Sequence, residues 1–225
     1  MQTSTRSGLR RVALAGATGL VGQHLLQGLL ADPDVAEVHA LARRELAIRH
    51  PKLVLHRVDY QALPALPPLD ELYLALGTTI RDAGSQAAFR AVDFSANLAL
   101  ARSGMAAGAR RIALVSAAGA DPQSRFFYNR VKGELEAALA SLEPDTLLIA
   151  RPGLLLGDRA ALGQRTRPAE RLSAALFGFL GRAVPAALRP VAAQNVADAL
   201  RTGLPSVEGH VVLGSTLLRA GEHPV

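Results

Sequence analysis

Tyr128 and Lys132 stand four residues apart in YNRVK, a spacing that puts both side chains on one face of a helix. A phenol that exchanges protons must ionise readily, yet a free one titrates near ~10. A neighbouring ammonium stabilises phenolate and pulls that value toward working pH. Lysine can also hold a nicotinamide ribose, so one cation serves two roles. Ser116 ends the apolar run RIALVS, where its hydroxyl can bond a substrate carbonyl and orient it toward the tyrosine. Each residue also has a plain structural reading. Tyr128 can be a packing aromatic, Lys132 and Glu136 an i,i+4 surface pair, and Ser116 a strand-end cap.

A second constellation lies near the start. GATGLVG places Gly16, Gly19 and Gly22 where an apolar strand hands over to a helix, with Thr18, Leu20 and Val21 between them. Such glycines permit the tight turn, close approach to a pyrophosphate, and close helix–sheet packing. The helix N-terminus then offers free N–H groups to the phosphates. Glycine serves any strand-to-helix turn, but the elements on both sides fit nucleotide binding. About twenty residues beyond Gly22, a dinucleotide fold carries its ribose discriminator. Arg43 and Arg44 stand there instead of an acid, and guanidinium groups suit a 2′-phosphate. This favours NADP(H) over NAD(H). Asp59, after the third strand, sits where an acid can bond the adenine amino group; it is equally a turn residue.

These residues need a scaffold, and the pattern supplies one. Apolar runs at Arg11–Gly16, Val35–Leu41, Leu53–Val58, Glu71–Leu76, Arg111–Ser116 and Thr146–Arg151 alternate with helical patterns. The helices fall at LVGQHLLQGLLA, Gln86–Gly108 and Arg125–Leu142. Alternation of this kind predicts an α/β, doubly wound parallel sheet, a Rossmann fold, in a single domain over residues 1–225. Its core spans about residues 10–155, with a small C-terminal elaboration over about 156–225. There Arg159–Arg171 reads as a polar loop, Leu172–Leu180 and Asn195–Thr202 as helices, and His210–Gly214 as a last strand.

Composition narrows the chemistry. The 225 residues contain no cysteine, which excludes disulfide scaffolds, thiolate metal sites and cysteine nucleophiles. The six histidines show no metal-ligand spacing, so no metal is expected. Formal net charge is +6, but arginines supply nearly all of it and are scattered. A solvated basic surface is therefore expected rather than a specific nucleic-acid face. The polar N-terminus is no secretory signal, and Leu172–Leu180 is far short of the ~20 residues of a membrane span. The expectation is a cytoplasmic protein with no membrane partner.

The segments GATGLVG, ALARRE, ALGTT, LVSAAGAD, YNRVKGELE and RPGLLLGDR together resemble the short-chain dehydrogenase/reductase superfamily. The closer resemblance is to its atypical branch containing the Tat-interacting oxidoreductase-like proteins. It covers roughly residues 10–160 in the family's order. It implies Ser116, Tyr128 and Lys132 as catalytic residues, with Leu76, Gly77 and Thr78 beside the cofactor and Leu155 near the nicotinamide. Arg167 aligns with a family arginine near the cofactor. Many members carry an asparagine on the long central helix that completes a proton relay; Asp93 falls at that point here, with Asn97 as the other candidate. Only 73 residues follow Pro152, which argues against a bulky nucleotide-sugar substrate. The implied activity is NADP(H)-dependent hydride exchange with a small carbonyl or alcohol. The alternative is an NADP(H)-binding regulatory or redox-sensing protein, with nucleic-acid binding a remoter third.

Overall fold

A computed structural model describes residues 8–60, 62–156 and 189–221. The sequence-derived loop Arg159–Arg171, the helix Leu172–Leu180 and Arg167 lie outside the described residues.

Strand β1 (Arg10–Ala15) is buried from Val12 to Ala15 because helices cover both of its faces. Its apolar residues therefore run without alternation, as central parallel strands do. The chain continues through α1 (Leu20–Ala31), β2 (Val35–Ala42), β3 (Leu53–Arg57) and β4 (Glu71–Leu74). Short helices α2 (Ile80–Ala83) and α3 (Gln86–Arg90) follow. A π-helical turn over Ala91–Ala96 joins α3 to α4 (Asn97–Ala106), making the long central helix the sequence predicts. Then come β5 (Arg111–Val115), α5 (Phe127–Ala140) and β6 (Thr146–Arg151). Two short strands, β7 (Leu155–Leu156) and β8 (Val191–Ala192), pair beside the main sheet. Helix α6 (Ala193–Gly203), β9 (Gly209–Gly214) and α7 (Ser215–Ala220) complete the described chain.

The main sheet runs β3-β2-β1-β4-β5-β6-β9, and every pairing is parallel. This is a doubly wound Rossmann sheet. The chain turns from one half to the other between β1 and β4, where such sheets open a crevice at their carboxyl ends. One apolar core packs α1 and α6 on one face, through Leu25, Leu29, Val196 and Leu200. The other packs α4 and α5 on the opposite face, through Leu100, Leu135 and Leu139. No helix of the described residues is long and apolar enough to cross a membrane.

Candidate functional site

The turn after β1 is possible only with glycine. Gly16 adopts φ +88°, and a Cβ there would lie 2.3 Å from the Ala75 carbonyl oxygen. A Cβ on Gly22 would lie 2.0 Å from the Gly16 carbonyl oxygen, so α1 can close on the turn only without one. The Gly19 N–H donates to the Gly16 carbonyl at 2.9 Å and tightens the loop. Helix α1 then begins at Leu20 with no side chain capping it, leaving its N–H groups toward the crevice.

The crevice has two adjoining lobes that share Gly19 and the segment Ala75–Thr78. The larger, about 450 Å³, is also lined by Gly16, Thr18, Arg43, Tyr60 and Asp82. The smaller, about 130 Å³, is lined by Leu20, Val21, Asp93, Val115, Ser116, Tyr128, Lys132 and Leu155. Thus the glycine turn, the segment after β4 and the Ser-Tyr-Lys group meet in one cleft. Three residues singled out in the sequence as cofactor contacts do not line it. Gly22 lies buried behind the turn, while Arg44 and Asp59 are exposed outside both lobes. Asp59 instead bridges to Ala62.

Tyr128 sits in the first turn of α5 with its ring tilted against Phe89 of α3, centroids 5.5 Å apart. Phe89 is fully buried, which fixes the wall against which the tyrosine rests. One turn on, the Lys132 ammonium lies 2.7 Å from the Asp93 carboxylate, with side-chain exposures of 5 % and 0 %. Burial works against the charged Lys132. Asp93, followed by Tyr128, outweighs that penalty and holds its pKa above the ordinary 10.5. The other Asp93 oxygen accepts the Thr78 N–H at 2.8 Å. Asn97, one turn further along the helix, donates its amide to the Leu76 carbonyl at 3.4 Å.

Ser116 is buried, and its hydroxyl donates to the Glu136 carboxylate. Glu136 also accepts from the Arg151 guanidinium, whose pKa those hydrogen bonds raise first of all. The sequence offers Glu136 as a surface partner of Lys132; the structure buries it and gives it Ser116 and Arg151 instead. A hydroxyl has one proton, so Ser116 in this arrangement can accept from a ligand but not donate to it. Tyr60, absent from the sequence-based candidates, donates its hydroxyl to the Leu41 carbonyl at 3.1 Å and walls the larger lobe. Among the described residues no group of three or more His, Asp or Glu could hold a metal.

A parallel seven-stranded sheet with a glycine-cradled crevice at its switch point defines a Rossmann-type protein. No protein-family model matches the chain. Protein fmp52 of Emericella nidulans, a mitochondrial protein by name, is 34 % identical over 221 residues, 92 % of this chain and 93 % of that protein. HTATIP2 of Rattus norvegicus is 36 % identical over 189 residues, 78 % of this chain and 76 % of its own. The chain belongs to this family, the Tat-interacting-like, atypical branch of the short-chain dehydrogenases/reductases. Among solved structures, MoeE5 in complex with UDP-glucuronic acid and NAD shares the fold. It superposes with TM-score 0.69 at 19 % identity, over 91 % of this chain and 76 % of that one.

The comparison corrects one expectation. A cytoplasmic location is overturned by the fungal relatives, which span 92 % of the chain and are named mitochondrial. The physical reason is simple: a polar start and short apolar runs carry no address, so they select no compartment.

Proposed function

We propose that the protein is an NADP(H)-dependent oxidoreductase acting on a small carbonyl or alcohol. The observation that carries this reading is the shared cleft. Ser116, Tyr128 and Lys132 face one lobe, and the glycine turn and Arg43 face the other across Ala75–Thr78. The larger lobe suits the adenosine end, with Arg43 offering a guanidinium to a 2′-phosphate. The uncapped start of α1 suits the pyrophosphate. The smaller lobe suits the nicotinamide, which Leu155 and Lys132 in its lining would hold. A nicotinamide held there would supply or accept the hydride at the substrate carbon. Tyr128 gives its proton to the carbonyl oxygen in reduction and takes it back in oxidation. Ser116 orients that oxygen, accepting from the alcohol or releasing Glu136 to donate. The fungal relatives point to mitochondria as the working compartment.

Turnover of a panel of small aldehydes and ketones with NADPH tests this reading. Tyr128→Phe should lower the rate by about 10²-fold or more. Unchanged turnover of a genuine substrate would remove the proposed acid.

A second reading has one observation in its favour. Ser116 and Lys132 are both already paired with carboxylates, as in a cofactor-binding protein that reports redox state and turns over little. Partner capture that differs between NADPH, NADP and cofactor-free forms would support it. Capture indifferent to all three would count against it.

A further inference from the structure

We infer that Asp93 biases the site toward carbonyl reduction: by cancelling the Lys132 charge, it withholds the pull that would otherwise ionise Tyr128. This rests on the oxidoreductase reading for its consequence, but not for its electrostatics.

The geometry is specific. Lys132 Nζ lies 2.7 Å from Asp93 Oδ1, and both side chains are almost wholly buried in the wall of the smaller lobe. Asp93 cannot swing away freely, because its Oδ2 accepts the Thr78 N–H at 2.8 Å. The pair forms part of the cleft wall beside Gly77. A Cβ built on Gly77 would meet Asp93 Oδ1 at 3.5 Å and Lys132 Nζ at 3.7 Å. Tyr128, one turn before Lys132, therefore faces an ammonium in contact with a carboxylate rather than an isolated cation.

The remaining groups packed around the pair do not restore a net positive charge. Glu136, one turn beyond Lys132 on α5, is balanced by Arg151 from β6. From β5 comes only the Ser116 hydroxyl, which is given to Glu136. From α3, Phe89 presents a ring to Tyr128, and Arg90 is engaged by Glu134. In a tyrosine–lysine site without such compensation, the ammonium stabilises phenolate. Here its field is that of an ion pair, which falls off faster with distance. Alcohol oxidation needs a phenolate to take the alcohol proton, whereas reduction needs a phenol to give one. Compensation therefore favours the phenol relative to a site with an unpaired ammonium.

The chain has three tyrosines and no tryptophan, so phenolate absorbance can be read tyrosine by tyrosine. Burial, then Glu71, pushes fully buried Tyr73 well above 10, and burial also raises Tyr60. Subtracting the Tyr128→Phe titration isolates Tyr128. The cofactor-free protein is titrated as wild type, Asp93→Asn, Lys132→Met and the double variant. Asp93→Asn leaves a net positive charge and should lower the ionisation of Tyr128 by about one to two pH units. Lys132→Met should raise it. The double variant, again without net charge, should return to within about half a unit of wild type. A merely structural Asp93 would not produce opposite signs that cancel. The inference is overturned if Asp93→Asn leaves the Tyr128 titration unmoved, or if the double variant tracks Lys132→Met. Should Asp93→Asn not fold, the comparison of the double variant with Lys132→Met still decides. Unchanged turnover in Tyr128→Phe would sink the oxidoreductase reading and leave this titration untouched.

Discussion

Replacing Lys132 with methionine keeps most of its volume and removes its charge, which isolates what the buried ion pair contributes. Asp93 is fully buried and would be left with only the Thr78 N–H as a polar partner. Breaking a buried pair by removing one partner costs about 3–5 kcal/mol, because a charge remains without compensation. The retained Thr78 bond argues for the lower end, about 3 kcal/mol. Asp93 in the variant escapes part of that cost by taking up a proton. Each pH unit by which its folded pKa exceeds the unfolded ~3.9 corresponds to about 1.4 kcal/mol. The sign follows from linkage. A carboxyl whose folded pKa is raised contributes its stability below the unfolded value and loses it as pH rises through the folded one. The deficit against wild type should therefore be small near pH ~5 and reach its full size near pH ~8. Urea denaturation of both proteins across that range measures it. At neutral pH the melting temperature should fall by roughly 6–12 °C. A deficit below about 1 kcal/mol, or one independent of pH, would refute the claim that the pair is a buried, obligatory ion pair.

Other consequences can be checked separately. Arg43→Ala should weaken NADPH binding by about tenfold in calorimetry, since Arg43 is exposed at the cleft edge, and leave NADH affinity unchanged; equal loss for both cofactors would displace it as the discriminator. Gly22→Ala forces a methyl into the Gly16 carbonyl, so cofactor binding and thermal stability should fall together; a stable variant with normal binding would contradict the tight turn. Stability should decline as pH rises above about 10, because Tyr73 and Lys132 both have raised folded values and lose their contribution on that side. His56 is lowered by burial and then by His39, so its share should vanish as pH falls below about 6.5; acid melts that are flatter in wild type than in His56→Phe would disprove that.

Much of the scaffold was legible because a parallel sheet buried on both faces leaves a plain mark. β1, β2, β4, β5 and β6 are short apolar runs, and their positions agree with the sequence reading to within two residues. The glycine turn was legible because backbone sterics at Gly16 and Gly22 admit nothing else. The charge partners were not. Asp93 and Lys132 are far apart in sequence, and a buried acid is written with the same letter as a solvated one. Glu136 misleads most. Its i,i+4 spacing from Lys132 matches a surface pair, yet their shared face turns inward. There Asp93 takes the lysine, and Ser116 with Arg151 takes the glutamate. Arg43 and Arg44 are adjacent and chemically identical, and only the path of the chain after β2 admits one and excludes the other. The pairing of β7 with β8 spans a long interval and involves two residues on each side, too few for any periodicity.

Burial of charge does not by itself mark a functional site, and this molecule supplies its own control. At the opposite end of the sheet, Arg10 donates to both oxygens of buried Glu71 at 2.9 Å and to Asp32 at 2.9 Å. Tyr73 donates to the same Glu71 at 2.8 Å. That cluster is charged and centred on a buried carboxylate, as the Asp93 pair is, and it too contains a tyrosine. No member of it lines the cleft, and it ties β1 to β4 and to the end of α1. The Asp93 pair differs in what lies on its other side. Its carboxylate holds the backbone of Thr78, its ammonium lies under Gly77, and its helix neighbour Tyr128 opens on the lobe. The glycines and the carboxyl ends of β1 and β4 converge on that same space. What sets the Asp93 site apart is therefore the coincidence of a compensated charge, a proton-bearing side chain and an open cavity. The Glu71 cluster has the first two and lacks the third.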